Sequence, residues 1–136
     1  MGLYAVQQAL AAVARGLTGM RRAPDNPTES AASYPFANVY PISGRWASND
    51  ASYKTGFQTF RVDIYLGKLP DVGRKIKEHS SMIEEFASAI YADPQLDGTC
   101  ESVDEIRWTL MEQTLGADRE LILRYEIDVK YQSTNV

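Results

Sequence analysis

Alternation of apolar and polar residues is clearest over 119–132, "RELILRYEIDVKYQ". Leu121, Leu123, Tyr125, Ile127, Val129 and Tyr131 fall on one side, and Ile122, Arg124, Glu126, Asp128 and Lys130 on the other. A period of two predicts a strand with one face in a core. Residues 57–66 repeat the pattern, with Phe60, Val62, Ile64 and Leu66 opposing Thr59, Arg61, Asp63 and Tyr65. Val103–Leu115 sets Ile106, Trp108 and Leu110 against Arg107, Thr109 and Met111, and Phe36–Ile42, close to two prolines, reads as a short edge strand. The period changes to 3.6 in two places. Leu3, Val6, Leu10, Val13 and Leu17 predict a helix over 3–18, closed by Gly16 and Gly19. Val72, Ile76, Ser80, Ile83, Phe86, Ala87 and Ile90 predict a longer one, with Pro70 and Asp71 in its first turn and Pro94 beyond its end.

The order helix, strand, strand, helix, strand, strand predicts an α+β two-layer sandwich: a four-stranded, mainly antiparallel sheet with both helices on one face. The whole chain, 1–136, is expected to be one domain, with extended loops at about 19–33 and 43–56. The uncovered face would carry Arg61, Asp63, Arg107, Arg124, Glu126, Asp128 and Lys130, so it is either wet or set against something polar.

The stretch "ISGRWASNDASYKTG" at 42–56 is the exception to the regular patterning. It is long for a connection between neighbouring strands, yet it contains Trp46 and Tyr53 around a hydrophilic "ASNDAS" tip. It reads as a polar arm whose aromatics serve an interface, or as a loop whose Trp46 folds back on the sheet edge.

Composition narrows the chemistry. The net charge is −4 and no basic stripe occurs, which disfavours non-specific nucleic-acid binding. The single cysteine, Cys100, excludes a disulfide framework within one chain and a cysteine-based zinc site. No apolar run reaches the ~18 residues of a membrane span, and the first basic residues follow the apolar N-terminal segment, the reverse of a signal peptide. A soluble protein of a reducing cytoplasm is expected. The only histidine, His79, sits beside an apolar helical stripe and reads as a packed side chain; a Cys100–His79 pair has no supporting local motif. The glycines do not form a phosphate-binding pattern. Glu84 and Glu85, like Asp104 and Glu105, are sequential neighbours that point apart. Neither catalysis nor a cofactor or metal is expected. The long helix carries Arg74, Lys75 and Lys77 near its start and Glu84 and Glu85 further on, against its dipole, at a cost of ~0.3 kcal/mol each when exposed.

Taken in order, the leading helix, the entry "YPFANVYP", the strand-to-strand extension, the strand "FQTFRVDIYLG", a helix ending "AIYADPQLDGT" and the closing "RELILRYEIDVKYQ" resemble a tail terminator, or tail completion protein, of long-tailed bacteriophages over residues 3–132. The resemblance implies a non-enzymatic virion protein, assembled in the host cytoplasm. It implies a homohexameric ring at the head-proximal end of the tail, capping the tail-tube protein, stopping its polymerisation and docking the neck or head-completion proteins. DNA would only pass through the channel. Arg45, Trp46, Asn49, Asp50, Tyr53 and Lys54, with Arg21 and Arg22, would then be subunit or tube contacts. The face bearing Arg61, Asp63, Arg124, Glu126, Asp128 and Lys130 would line the channel or meet a subunit. Two alternatives stand beside this: another phage head–tail connector, or a small-molecule-binding α+β domain with Trp108, Tyr65, Tyr125 and Met111 around a pocket.

Overall fold

The computed structural model describes residues 2–27, 34–48, 53–68, 72–115 and 118–134. Two helices, α1 (Leu3–Arg15) and α2 (Val72–Ala92), and four strands, β1 (Phe36–Ser48), β2 (Tyr53–Lys68), β3 (Ser102–Leu115) and β4 (Asp118–Thr134), follow in the order α-β-β-α-β-β. All neighbouring strands are antiparallel, and the sheet order is β1-β2-β4-β3. The last strand in sequence therefore lies inside the sheet, and β3 forms an edge. This is the α+β architecture that the periodicity predicts.

The core lies between the helices and one sheet face. Val6, Leu10, Ala11 and Ala14 of α1, and Met82, Phe86 and Ile90 of α2, pack with Val39, Phe60, Val62, Ile64, Leu123, Tyr125 and Ile127 of the sheet. Burying the larger of these side chains, the Val, Leu, Ile, Met and Phe, contributes roughly 1.5–3 kcal/mol each. Tyr125 is fully buried, and its hydroxyl donates to the Ile83 carbonyl of α2 at 2.6 Å, tying helix to sheet. The α2 stripe is rotated slightly from expectation: Met82 is buried, whereas Ile76 and Ser80 are exposed.

Two segments differ from the sequence reading. The stretch expected as a loop over 43–56 is mostly strand, because β1 continues to Ser48 and β2 begins at Tyr53. Serine, glycine and lysine there hid a pairing that β4 supports from the other side, with Gly56 opposite Tyr131 and Thr55 opposite Gln132. Only 49–52 lies outside the described residues. The second expected loop, 19–33, is tied down over its described part. Arg22 bridges to Phe36, its carbonyl accepting the Ala37 N–H at 2.8 Å, while Arg15 donates to the Ala23 carbonyl and Gln7 to the Asp25 carbonyl. Residues 28–33 are outside the described set.

β1 is irregular between Pro41 and Ser43, and β3 between Val103 and Glu105. Register places both at one row across the sheet, Ser43–Thr59–Asp128–Glu105. Bulges increase local twist and bend a strand. The same row borders an open trough of about 670 Å³ lined in part by Arg45, Phe57, Thr59, Glu105 and Asp128.

Candidate functional site

Beyond Ser102, the first residue of β3, the sheet continues as three strands for about 10 Å at ~3.4 Å per residue. This tongue consists of the end of β1, the start of β2 and the end of β4. Its helix-side surface is organised around Gly56. A Cβ there would stand 2.7 Å from the Trp46 ring and 3.1 Å from that of Tyr131. The missing side chain lets the indole lie across β2 and meet Tyr131 edge-on, ring centroids 5.4 Å apart. Lys54 Nζ sits 4.5 Å from the indole centroid. Tyr131 is only 1% exposed, while Trp46 remains 48% exposed. Trp46 thus folds back and still presents half of its surface. On the other face of the tongue the Arg45 guanidinium lies 4.0 Å from the Phe57 ring centroid.

Of the residues expected at an interface, the tongue brings Trp46 and Lys54 together on one face and carries Arg45 on the other. Asn49 and Asp50 lie outside the described residues, and Tyr53 is placed only as a strand position. Arg21 and Arg22 are exposed at the opposite end of β1, where the Arg21 N–H bonds to the Pro35 carbonyl. They are not part of the tongue.

The uncovered face is a set of cross-strand charge pairs. Asp63, 1% exposed, accepts both Arg124 Nε (2.8 Å) and Nη2 (3.1 Å), and the Tyr40 hydroxyl at 2.6 Å. The partnership raises the pKa of Arg124, and burial, then the bond to Asp63, raises that of Tyr40. Arg61 meets Glu126 at 3.2 Å. Asp128 accepts Arg107 through two bonds, 2.8 and 3.2 Å, and the Thr59 hydroxyl at 2.7 Å; the Arg107 bonds hold its carboxyl below the usual range. Lys130 lies 3.5 Å from Glu101. Alternation placed the charged residues on this face; Tyr40 and Thr59, which complete the pairs, carry no charge to signal the role. Tyr40 was findable only from register, two places along β1 from the row opposite Asp63.

The small-molecule pocket expected from Trp108, Tyr65, Tyr125 and Met111 does not form. Trp108 pairs with Tyr125 on the helix side, while Tyr65 and Met111 flank Ile122 on the opposite face. Cys100 is buried, and burial pushes its thiol pKa up to about 11, so the thiolate nucleophile is scarce at neutral pH. His79 lies beside Leu66, Ile76 and Ile83 on α2, away from the tongue. Among the described residues, no group of three or more His, Cys, Asp or Glu side chains could hold a metal ion, and no helix is long and apolar enough to cross a membrane.

No protein-family model matches the chain, and no curated protein matches it.

Proposed function

We propose that the protein is a structural component of a phage virion. It assembles into a homohexameric ring that caps the head-proximal end of the tail tube, stops tube polymerisation and presents a docking surface to the neck. The sequence resemblance supplies the class. The tongue supplies the physical support: three strands project past the start of β3, and a half-exposed indole packs on them against Tyr131 and Lys54. Preorganised aromatics of this kind anchor protein contacts at low entropic cost.

The uncovered face suits passage of DNA without retention. Four of its cations, Arg61, Arg107, Arg124 and Lys130, each lie against a carboxylate, and a fifth, Arg45, lies over the Phe57 ring. Phosphate binding depends on cations free to displace counterions, and committed cations serve that role poorly.

The test follows from register. Arg45 stands opposite Phe57. Replacing 46–56 with an Asn-Gly turn therefore closes the hairpin at the base of the tongue and removes Trp46 with it. The shortened protein is expected to keep its circular dichroism spectrum and to lose both ring formation, seen by negative-stain imaging, and arrest of tail-tube growth in a co-assembly assay. A shortened protein that forms rings and arrests growth as the parent does would refute the role given to the tongue.

A further inference from the structure

The two ends of the strands carry opposite charge. β2 finishes at Lys68 and α2 begins at Val72, so the start of α2 lies at that end; the Lys75 side chain fills the space a Cβ on Gly67 would need. Arg22 bridges to Phe36, the first residue of β1, at the same end. Arg21, Arg22, Lys68, Arg74 and Lys77 are all exposed there. Among the described carboxylates at this end, Glu78 lies 3.8 Å from Arg74, Glu112 pairs with Arg119, and one oxygen of the buried Glu120 accepts the Tyr34 hydroxyl.

At the other end α2 finishes at Ala92, and the following turn leads into β3 at Ser102. Asp93, Asp97, Glu101, Asp104 and Glu105 are exposed along this route, with Lys130 lying against Glu101 and Arg107 against Glu105, so the carboxylates outnumber the cations there. The tongue projects from this acidic end. The order of charges along α2, unfavourable to its own dipole, belongs to this larger polarity: its cations face one end of the molecule, and the acidic turn closes the other.

We propose that copies of this chain associate head to tail, the basic end of one seated on the acidic end of the next, with the tongue reaching across the joint. The inference rests on the ring reading above and names the contact that closes the ring. The two surfaces are different and mutually complementary, so the contact is heterologous; such contacts close into rings when the rotation per copy permits. Surface charges of this kind steer and orient association and are screened by salt.

Two neutralised variants test it: Arg21→Gln/Arg22→Gln/Lys77→Gln at the basic end, and Asp97→Asn/Glu101→Gln/Asp104→Asn at the acidic end. Asparagine tolerates the positive φ of 57° at Asp97. Circular dichroism confirms folding, and sedimentation velocity reads assembly at low and high salt. Wild-type assembly is expected to weaken at least tenfold between about 0.05 and 0.5 M salt. Each variant alone is expected to be monomeric, and an equimolar mixture is expected to form a dimer and stop, because one intact pair of ends remains. A mixture that stays monomeric, or single variants that assemble like wild type, would overturn the head-to-tail contact. Six-fold rings from both variants would leave the ring reading standing and sink this inference alone. Open, salt-sensitive chains from wild type would support the contact and sink the ring. A wild-type protein monomeric at every concentration and salt would sink both.

Discussion

Substituting Trp46 by Ala isolates the tongue's main clamp. A large aromatic buries 150–250 Å² when fully covered, and Trp46 is 48% exposed, so roughly 100 Å² stays covered. At ~25 cal/mol per Å² that is ~2.5 kcal/mol. The edge contact with Tyr131 adds ~0.5–1 kcal/mol, and Lys54 over the indole ~0.5 kcal/mol. The total is an upper bound, because denatured chains already cover part of this surface. We expect Trp46→Ala to cost ~2–3 kcal/mol in urea unfolding followed by circular dichroism. Amide exchange should accelerate first in 44–48, 54–58 and 129–132, since the loss is local. Gly56→Ala should also destabilise, by ~1–2 kcal/mol, because its Cβ would stand 2.7 Å from the indole. Combining the two discriminates sharply. Without the indole the Tyr131 ring can give way, and alanine is better than glycine in a strand interior. Gly56→Ala should therefore be neutral or stabilising in the Trp46→Ala background. Additive costs in the double variant, or a Trp46→Ala cost below ~0.5 kcal/mol with unchanged exchange, would refute the clamp.

Asp63→Ala should cost ~2–4 kcal/mol in the same unfolding assay, because it strands Arg124 and Tyr40 on a nearly closed site; a cost under 1 kcal/mol would show that the triad is solvent-compensated. The depressed pKa of Asp128 contributes stability that is present above the unfolded carboxylate pKa of ~4 and lost as pH falls through the native value. Asp128→Asn should thus lose less stability than wild type between pH 5 and pH 2, measured by thermal melts. Burial raises the hydroxyl pKa of Tyr65 to about 12 and also raises those of Tyr40, Tyr125 and Tyr131. Their stabilisation is full below the unfolded value of ~10 and declines as pH climbs towards 12, so absorbance at 295 nm should report these tyrosines titrating together with loss of structure; titration of all eight tyrosines near pH 10 in a still-folded protein would contradict this.

Element order and the faces of β2, β3 and β4 were legible because strict alternation and helical spacing are strong local signals. Phe60, Val62, Ile64, Leu123, Tyr125 and Ile127 lie in the core as the period-two pattern predicts. The tongue was not legible as strand. Gly44 and Gly56 lower strand propensity, but each makes room for a cross-strand neighbour, Gln58 in one case and Trp46 in the other. That compensation exists only after register is known. Ile122 misled in the opposite direction: it alternates with charged residues, yet it is fully buried on the uncovered face between Tyr65 and Met111. The tethering of 20–25 depends on Gln7 and Arg15 reaching backbone carbonyls far along the chain, which no local pattern reports.

The strand order has a consequence for the route by which the fold forms. β2 and β3 never touch in the sheet; β4, which follows both in sequence, lies between them. The β2–β4 ladder joins Lys68 with Glu120 at its nearest approach and Tyr53 with Thr134 at its furthest. Roughly fifty to eighty residues must therefore be looped before this ladder gains its bonds, an entropic toll that slows the search for the native state. Until β4 arrives, β1 and β2 form a lone hairpin with one open edge, and the apolar side of β3 has no ladder partner. Such partly built sheets are prone to wrong pairing. Refolding should accordingly be limited by insertion of β4, and substitutions such as Ile127→Val should slow folding more than equivalent trimming of α1.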